Sequence, residues 1–319
     1  MFLTTTDLTV INYLKEQHKL LPSERWDIEF LTNIVYNRDV CEYLSLFPDE
    51  SVDLIFTDEP YGVAPTKVNL KARTDITTDF KWDKISNDLL DVYDHLMTGR
   101  ENKEAPRIPM HLQNPWVFEA ERVLKPHGVL INFGMQEFSA TFRDVCRHAG
   151  LIWRASGPWI KTNPAPHFRK NNFRSGHETF YFASKGTTKG HINFLEQQEM
   201  VNYIIDSKCP NCDSVHPVIF SNKYDQPGWF EDVDTWVEVS PLHGDRQSNH
   251  GTEKPPWLLC KFLTIFSNEG DLVLDPFAGS GSTAFEANRL GRNWATNDIT
   301  DEWYAFVTNR MSNTKRSFI

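Results

Sequence analysis

The first stretch whose residue types suggest chemistry is LIFTDEPYGV, at residues 54–63. Here an apolar run ends on two carboxylates and an aromatic ring, in Asp58-Glu59-Pro60-Tyr61. Proline and aspartate are ordinary turn residues, so this stretch taken alone fits a polar turn after a strand. The alternative is a reactive group held at the tip of a buried strand, and the rest of the chain decides between the two.

The second stretch is LVLDPFAGSGSTAFEANRLG, in which an apolar run leads from Asp275 to Gly279-Ser-Gly281, with a helix expected from about Ser282. Glycines let the backbone turn sharply and approach a ligand closely, at the carboxyl end of a parallel strand where such sheets bind cofactors. The next apolar run, RNWATNDI, ends in Asp298, about 20 residues further on, where an acid is suited to accept hydrogen bonds from ribose hydroxyls. Together these features predict a site for a nucleoside-containing cofactor.

The glycine loop also limits the class of cofactor. It lacks the Lys-Ser/Thr ending of a phosphate-binding P-loop, which argues against a nucleoside triphosphate. On the evidence of the loop alone, a dinucleotide dehydrogenase remains an alternative.

The elements that must position these residues alternate between strand and helix. The predicted strands are 34–40 with Asp39 at its end, 52–56, 128–134, 151–161, 272–274 and 292–299. The predicted helices are 8–21, 41–47, 114–128, 138–150, 255–267 and one from about Ser282. This alternation predicts an α/β fold with a doubly wound, mostly parallel sheet.

The alternation is interrupted between residues 186 and 248. That stretch is irregular, aromatic and turn-rich, which predicts an inserted subdomain. Residues 1–185 and 249–319 are then two halves of one α/β domain, the first carrying the acidic tip and the second carrying the glycine loop. Residues 62–110 are polar and lack periodicity, so they predict a long loop, and loops of this length are usually functional.

Composition narrows the class of protein. The chain has 319 residues and a formal net charge of −10, so any binding of nucleic acid requires a local basic groove rather than bulk charge. The sequence contains no run of about 18 apolar residues, so no membrane span is predicted. The first residues do not resemble a secretory signal. Five scattered cysteines do not make a disulfide framework, so we expect a reducing, cytoplasmic location and no membrane partner.

A basic run is a candidate for contacts with nucleic acid. Residues 161–177 contain four cations and no acid: Lys161, Arg169, Lys170 and Arg174. A short basic run is often only a solvated face. Its place after a strand end near the predicted site makes it a candidate phosphate-contacting loop.

A pair of cysteines is a candidate for metal binding. Cys209-Pro-Asn-Cys212, with His216 four residues on, has the spacing of half a structural zinc site. Other ligands would have to come from residues such as His191 or His243, because the chain contains no second CxxC. The alternative is a plain turn that contains two thiols.

Both chemical stretches resemble motifs of one family. DLVLDPFAGSGST closely resembles the cofactor-binding motif of S-adenosylmethionine-dependent DNA amino-methyltransferases, and IFTDEPYG resembles their catalytic Asp-Pro-Pro-Tyr motif. The catalytic motif comes first and the cofactor motif last, which is the order of the family's beta class. ERVLKPHGVLINFG, the stretch from WIKTNP to FASKG, and His250-Gly-Thr-Glu-Lys254-Pro255 resemble further landmarks of that class. The resemblance covers 34–185 and 249–310.

The resemblance implies a Rossmann-like methyltransferase fold, S-adenosylmethionine as cofactor, and double-stranded DNA as partner, with a homodimer as a further candidate assembly. It places the target-recognition region in the 186–248 insertion. The catalytic tip that it implies consists of Asp58, Glu59, Pro60 and Tyr61. The cofactor-binding residues that it implies are Asp39, Lys254, Asp275, Phe277, Gly279, Gly281, Ser282 and Asp298.

The tip that the resemblance implies suits methyl transfer to a base. The Asp58 carboxylate and the backbone carbonyl of residue 59 can accept both hydrogens of an exocyclic amine, which directs the nitrogen lone pair towards the methyl group. Tyr61 would stack on a base lifted out of the duplex. In this family Asp at the first motif position goes with adenine N6 and Ser with cytosine N4, so Asp58 favours adenine, with cytosine N4 as the alternative.

Glu59 departs from the family's pattern, which has proline at this position. Proline fixes φ, so its loss would loosen the tip, although the backbone carbonyl remains. Three interpretations follow from the sequence: an active enzyme with a tolerated or weakening variant, an enzyme with an altered substrate such as RNA or a protein side-chain amide, or a catalytically silent protein that binds the cofactor or DNA.

Overall fold

Seven strands form one sheet in the computed structural model, which describes residues 28–61, 109–160, 176–186 and 253–313. The strands are β1 Ile34–Tyr36, β2 Val52–Asp58, β3 Leu124–Gly134, β4 Ile152–Ile160, β5 His177–Ser184, β6 Leu272–Asp275 and β7 Asn293–Asn297. Their order across the sheet is β1-β7-β6-β2-β3-β5-β4. β1, β7, β6, β2 and β3 pair in parallel, whereas β5 pairs antiparallel with both β3 and β4. The predicted α/β fold with a mostly parallel sheet is confirmed.

Helices lie before, between and after these strands. They are α1 Val40–Ser45, α2 Met110–Gln113, α3 Trp116–Val123, α4 Ser139–Ala149, α5 Pro256–Phe266, α6 Ser282–Arg289 and α7 Asp301–Ser312. Two short 3-10 helices cover Ile28–Phe30 and Gln136–Phe138. α4 ends at Gly150 in a left-handed conformation (φ 103°), as its sequence predicts.

The apolar runs of the central strands are covered on both faces. In β2, Leu54 and Phe56 belong to one buried cluster, and Ile55 belongs to the other. Successive side chains of a strand point to opposite faces, so one short run contributes to two cores. Helices α1, α3 and α4 cover one face, and α5 with α6 covers the other. This burial fixes the central strands and therefore the positions of their carboxyl ends.

One predicted helix is shorter than its sequence suggests. The helix predicted over 114–128 begins at Trp116 and ends at Val123, and Leu124–Gly134 is strand β3. A proline disfavours helical backbone at the residue that precedes it, and Lys125 precedes Pro126. The chain therefore becomes extended from Leu124, whose ψ is 133°, and Leu124 pairs with Val52 of β2.

Other boundaries also shift. The strand predicted over 34–40 ends at Tyr36, and the helix after it begins at Val40, because the Asp39 side chain accepts a hydrogen bond from the backbone N–H of Cys41 and caps it. Strand β5 and helix α7 had no counterpart in the prediction. No helix within the described ranges is long and apolar enough to cross a membrane.

Several predictions fall outside the described residues. These are the helix over 8–21, nearly all of the long loop over 62–110, and nearly all of the insertion over 186–248. The division into domains at 185 and 249 therefore stays a prediction.

Candidate functional site

One cavity lies at the carboxyl ends of β2, β6 and β7, where a parallel sheet is expected to bind ligands. All the predicted catalytic and cofactor residues except Gly281 line it: Asp39, Asp58, Glu59, Pro60, Tyr61, Lys254, Asp275, Phe277, Gly279, Ser282 and Asp298. The two stretches that the sequence singled out, more than 200 residues apart along the chain, thus meet at one place. This juxtaposition depends on the parallel pairing of β2 with β6.

The glycine loop connects β6 to α6 through left-handed backbone. Gly279 has φ 49° and Gly281 has φ 72°, a conformation that favours glycine. A Cβ on Gly281 would lie 2.6 Å from the Cγ1 atom of Val307 in α7. Gly281 therefore serves the packing of the loop against α7, although it does not line the cavity.

Asp298, just after β7, holds the glycine loop by a direct hydrogen bond. Its Oδ2 accepts a hydrogen bond from the backbone N–H of Gly279 at 3.0 Å, and its Oδ1 accepts from the backbone N–H and hydroxyl of Thr300 at 2.9 and 2.7 Å. Burial raises the pKa of Asp298, and these hydrogen bonds oppose that rise. Next to it Ile299 is 63% exposed and lines the cavity with Trp303, so the cavity has an apolar wall beside the acid.

Asp275 is a buried acid of the cofactor stretch. Its Oδ1 accepts hydrogen bonds from the hydroxyl of Thr57 at 2.8 Å and from the backbone N–H of Phe277 at 3.2 Å. Burial raises the pKa of Asp275 to about 6, although its hydrogen bonds lower it. A carboxyl group in this state favours a cationic ligand, because a nearby positive charge stabilises the ionised form.

Asp39 approaches the same cavity from the start of α1. Besides capping that helix, its carboxylate accepts a hydrogen bond from the side-chain amide of Asn114 at 3.3 Å. The carbonyl of the Asn114 amide in turn accepts from the thiol of Cys41 at 2.6 Å. These contacts fix the direction of a third carboxylate on the cavity wall.

The catalytic tip is held by a tyrosine and a lysine. The Tyr61 hydroxyl donates a hydrogen bond to Asp58 Oδ1 at 2.6 Å, and the Lys254 ammonium donates to Asp58 Oδ2. Lys254 also forms an ion pair with Glu178 of β5 at 3.0 Å. The Asp58 side chain is 28% exposed, so it remains accessible from the cavity while both of its oxygens are hydrogen-bonded.

The charges around Lys254 keep it cationic. Burial lowers the pKa of Lys254, but the carboxylates of Asp58 and Glu178 raise it by more than burial lowers it. The net shift of the pKa is upward. The pKa of Tyr61 is also raised well above its ordinary value, by burial first and then by Asp58. Tyr61 is therefore a neutral hydrogen-bond donor to Asp58.

Glu59 is buried away from solvent, with 1% of its side chain exposed. Its Oε1 is hydrogen-bonded to the ring Nδ1 of His111 at 2.6 Å and accepts from the amide of Asn132 at 2.9 Å. Its Oε2 accepts from the backbone N–H of His111 at 2.9 Å and from the indole of Trp116 at 3.2 Å. A carboxylate offers about four acceptor positions, so these donors occupy the group fully.

The sequence analysis missed several residues of the site. Glu178 and Asn114 line the cavity, and His111 lies directly behind the tip. The HETFYFAS stretch contains a short run of apolar residues, 180–183, which is a signal for strand β5 and so for the place of Glu178 near its start. Asn114 and His111 each depend on partners more than 50 residues away, which no local pattern shows.

Two sets of predicted residues lie outside the described residues. They are the basic residues Lys161, Arg169, Lys170 and Arg174 and the cysteines Cys209 and Cys212. Within the described ranges, no group of three or more His, Cys, Asp or Glu side chains is arranged to hold a metal ion. Contacts with nucleic acid and a zinc site therefore stay predictions.

Comparison with known proteins gives a consistent family. A model of the N6_N4_Mtase family, described as DNA methylase, matches residues 52–309. The type II methyltransferase M2.DpnII of Streptococcus pneumoniae is 26% identical over 279 residues, which are 87% of this chain and 89% of that protein. The type II methyltransferase M.HinfI of Haemophilus influenzae is 29% identical over 278 residues, which are 84% of this chain but only 65% of that protein.

Solved structures with the same fold include M1.HpyAVI, with a TM-score of 0.52 and 20% identity over 88% of this chain and 98% of that chain. The cytosine-N4-specific PvuII DNA methyltransferase has a TM-score of 0.50 and 17% identity over 89% of this chain and 87% of that chain. TTHA0409 of Thermus thermophilus, solved complexed with S-adenosyl-L-methionine, has a TM-score of 0.50 and 18% identity over 92% of this chain and 97% of that chain. These likenesses establish the fold. Because the family model spans both the acidic tip and the glycine loop, the chain belongs to the family of S-adenosylmethionine-dependent N6/N4 DNA amino-methyltransferases.

Proposed function

We propose that this protein transfers the methyl group of S-adenosylmethionine to the N6 amine of adenine in DNA. The observation that carries the proposal is the position of Asp58. Its carboxylate lies at the end of β2, in the same cavity as the glycine loop and Asp298. The carboxylate at this motif position favours adenine over cytosine, as the sequence suggests.

The residues of the cavity fit the cofactor. Three carboxylates, those of Asp39, Asp275 and Asp298, line one wall together with the glycine loop. Asp298 is suited to the ribose hydroxyls, with Ile299 and Trp303 as an apolar wall for the adenine ring. Asp275 is suited to the cationic methionine end, because a positive charge stabilises its ionised form. Bound S-adenosylmethionine supplies an electrophilic methyl group on a sulfonium.

The chain's own groups then orient the nucleophile. Asp58 and the backbone carbonyl of residue 59 accept the two amine hydrogens, so that the nitrogen lone pair points towards the methyl group. Holding two reactants in line contributes about 7–11 kcal/mol to lowering a barrier. The nitrogen–carbon bond forms as the sulfur–carbon bond breaks, with the bonding electrons left on sulfur, and the methylated amine then loses one proton to solvent.

The contacts of Asp58 indicate what happens when a base enters. Both oxygens of Asp58 already accept hydrogen bonds, from Tyr61 and from Lys254. A carboxylate offers about four acceptor positions, so an amine hydrogen can be accepted beside these two donors. Tyr61 would release Asp58 where its ring moves to stack on a base lifted out of the duplex. Lys254 stays with Glu178 and keeps its hydrogen bond to the second oxygen of Asp58.

The burial of Glu59 favours an active enzyme over a silent one. Its carboxylate is directed to His111, Trp116 and Asn132. It therefore does not compete with Asp58 for the hydrogens of the amine. Contacts with DNA phosphates would come from the basic run over 161–174, and base recognition from the insertion over 186–248.

The test is transfer of labelled methyl groups from S-adenosylmethionine to unmethylated genomic DNA, followed by digestion to nucleosides and chromatography. We expect the label in N6-methyldeoxyadenosine, and none with Asp58→Asn, a variant that should still bind the cofactor in a calorimetric titration. Label in N4-methyldeoxycytidine would show that the substrate base is cytosine and not adenine. Cofactor binding without any transfer to DNA would support a silent protein or a substrate other than DNA.

A further inference from the structure

The turn that carries Asp58 is fastened to three other elements through Glu59. The four donors on its carboxylate come from α2 through His111, from α3 through Trp116 and from β3 through Asn132. The backbone of the turn is held as well. The N–H of Glu59 donates to Asn132 Oδ1 at 3.3 Å, and the carbonyl of Pro60 accepts from the N–H of Met110 at 3.1 Å.

His111 completes the anchor through both nitrogens of its ring. Its Nδ1 lies 2.6 Å from Glu59 Oε1, so the two groups share one hydrogen. Its Nε2 lies 3.2 Å from the hydroxyl oxygen of Thr141, and that hydroxyl donates its one proton to the carbonyl of Phe138 at 2.9 Å. Nε2 is then the donor to that hydroxyl. The contact between His111 and Glu59 is buried, with neither side chain more than 1% exposed.

This anchor has the same effect as the proline at this position in the family motif. Proline fixes the turn by restricting φ. Here, a buried carboxylate fixes it by hydrogen bonds to groups that are themselves held in the core. His111 packs edge-on against Phe142, with ring centroids 5.1 Å apart, and Asn132 is fully buried in β3.

We propose that Glu59 is a positioning residue, which acts with His111 and Asn132 to hold Asp58 and the backbone carbonyl of residue 59 at the separation that methyl transfer requires. Glu59 itself touches no reacting atom. The proposal rests on the proposed methyl transfer and assigns the departure from the motif a role in that reaction. It also implies that position 59 and position 111 act as a unit.

The first test measures the chemical step in Glu59→Gln, His111→Gln and the double variant, with the exposed Glu29→Gln as a matched control. The single-turnover rate is divided by the number of cofactor sites found by calorimetric titration. Loss of folded protein lowers the number of sites but not the rate per site. We expect each single variant to lower the rate per site by about 10- to 100-fold, because small misplacements cost that much. The cofactor Kd should change by less than about twofold.

The double variant decides whether the two residues act together. We expect it to be about as slow as either single variant, since removing one partner already releases the turn. Multiplied effects would overturn the proposed unit, and a rate per site equal to that of Glu29→Gln would overturn the positioning role.

A second test does not depend on activity. Hydrogen exchange of the peptide that covers 54–61 should be at least about tenfold faster in Glu59→Gln than in Glu29→Gln, because its hydrogen bonds open more readily. Exchange of the β6 peptide, 270–276, should stay unchanged. If the wild-type protein labels no DNA, the proposed function fails alone, and exchange still decides the role of Glu59. Unchanged exchange over 54–61 would refute it.

Discussion

Replacing Glu59 with proline restores the family motif, yet we expect Glu59→Pro to damage this protein. The substitution removes the carboxylate that accepts from His111, Trp116 and Asn132, and it also removes the backbone N–H that donates to Asn132. The donors left behind are buried. The fixed φ of proline does not replace these contacts.

The magnitude follows from burial. Leaving a buried donor without an acceptor costs about 1–3 kcal/mol, and the substitution leaves donors of His111, Trp116 and Asn132 without one. The four hydrogen bonds share one carboxylate, so their costs do not add in full. We therefore expect the free energy of unfolding to fall by about 4 kcal/mol, a large part of the roughly 5–15 kcal/mol that stabilises most proteins. At about 2–4 °C for each kcal/mol, Tm should fall by roughly 10 °C.

Thermal unfolding and single-turnover methyl transfer measure the outcome. Glu59→Ala separates the two effects of proline, because it removes the carboxylate and keeps the backbone N–H. Glu59→Pro combined with His111→Leu should recover part of the lost stability, since the buried imidazole left without its partner is then absent. A Glu59→Pro protein that is as stable as the natural one and transfers methyl groups faster would refute this reasoning.

Three further predictions concern the cofactor and DNA. Burial raises the pKa of Asp275 to about 6 in the free protein. The positively charged cofactor should bind the form with ionised Asp275 better. The affinity of the protein for the cofactor should therefore fall by up to about tenfold for each pH unit below 6. Calorimetric titration from pH 5 to 8 measures this, and Asp275→Asn should remove the dependence. The Lys254 ammonium contacts Asp58 and Glu178, so Lys254→Met should lower kcat more than it lowers cofactor affinity. A large rise in the cofactor Kd with unchanged kcat would instead place Lys254 at the methionine end of the cofactor. Lys170→Gln and Arg174→Gln should each weaken DNA binding for all sequences and reduce the salt slope by about one, as fluorescence anisotropy at several salt concentrations would show; an unchanged slope would leave them on a solvated face.

The raised pKa of Asp275 also makes the stability of the folded protein depend on pH. The folded protein holds this proton more tightly than the unfolded chain, so this group's contribution to stability is largest below about pH 4 and declines as the pH rises to about 6. Cofactor binding works in the opposite direction, since it favours the ionised form. A buried acid at this cofactor site therefore costs stability near neutral pH and returns it when the cofactor binds.

The cofactor half was predictable because its signals are local. The strand, the glycine loop, the start of α6 at Ser282 and the acid after β7 all lie within one short stretch, and each depends on neighbours in sequence. The helix over 114–128 was predicted too long because its apolar pattern continues into β3. Here the proline at 126 and the pairing of Leu124 with Val52 decided the outcome, and only the proline is visible in the sequence.

The catalytic tip shows where sequence alone stops. The sequence determined that two carboxylates stand side by side at the end of a buried strand, and the motif identified Asp58. It could not determine that the two side chains have different environments. Adjacent residues point to opposite sides of an extended chain, so Asp58 meets Tyr61 and Lys254 in the cavity, whereas Glu59 meets donors that lie 52 to 73 residues further along the chain. Only the pairing of β3 with β2 and the contacts of α2 and α3 with the turn bring those donors together, and they decide that Glu59 is buried and paired.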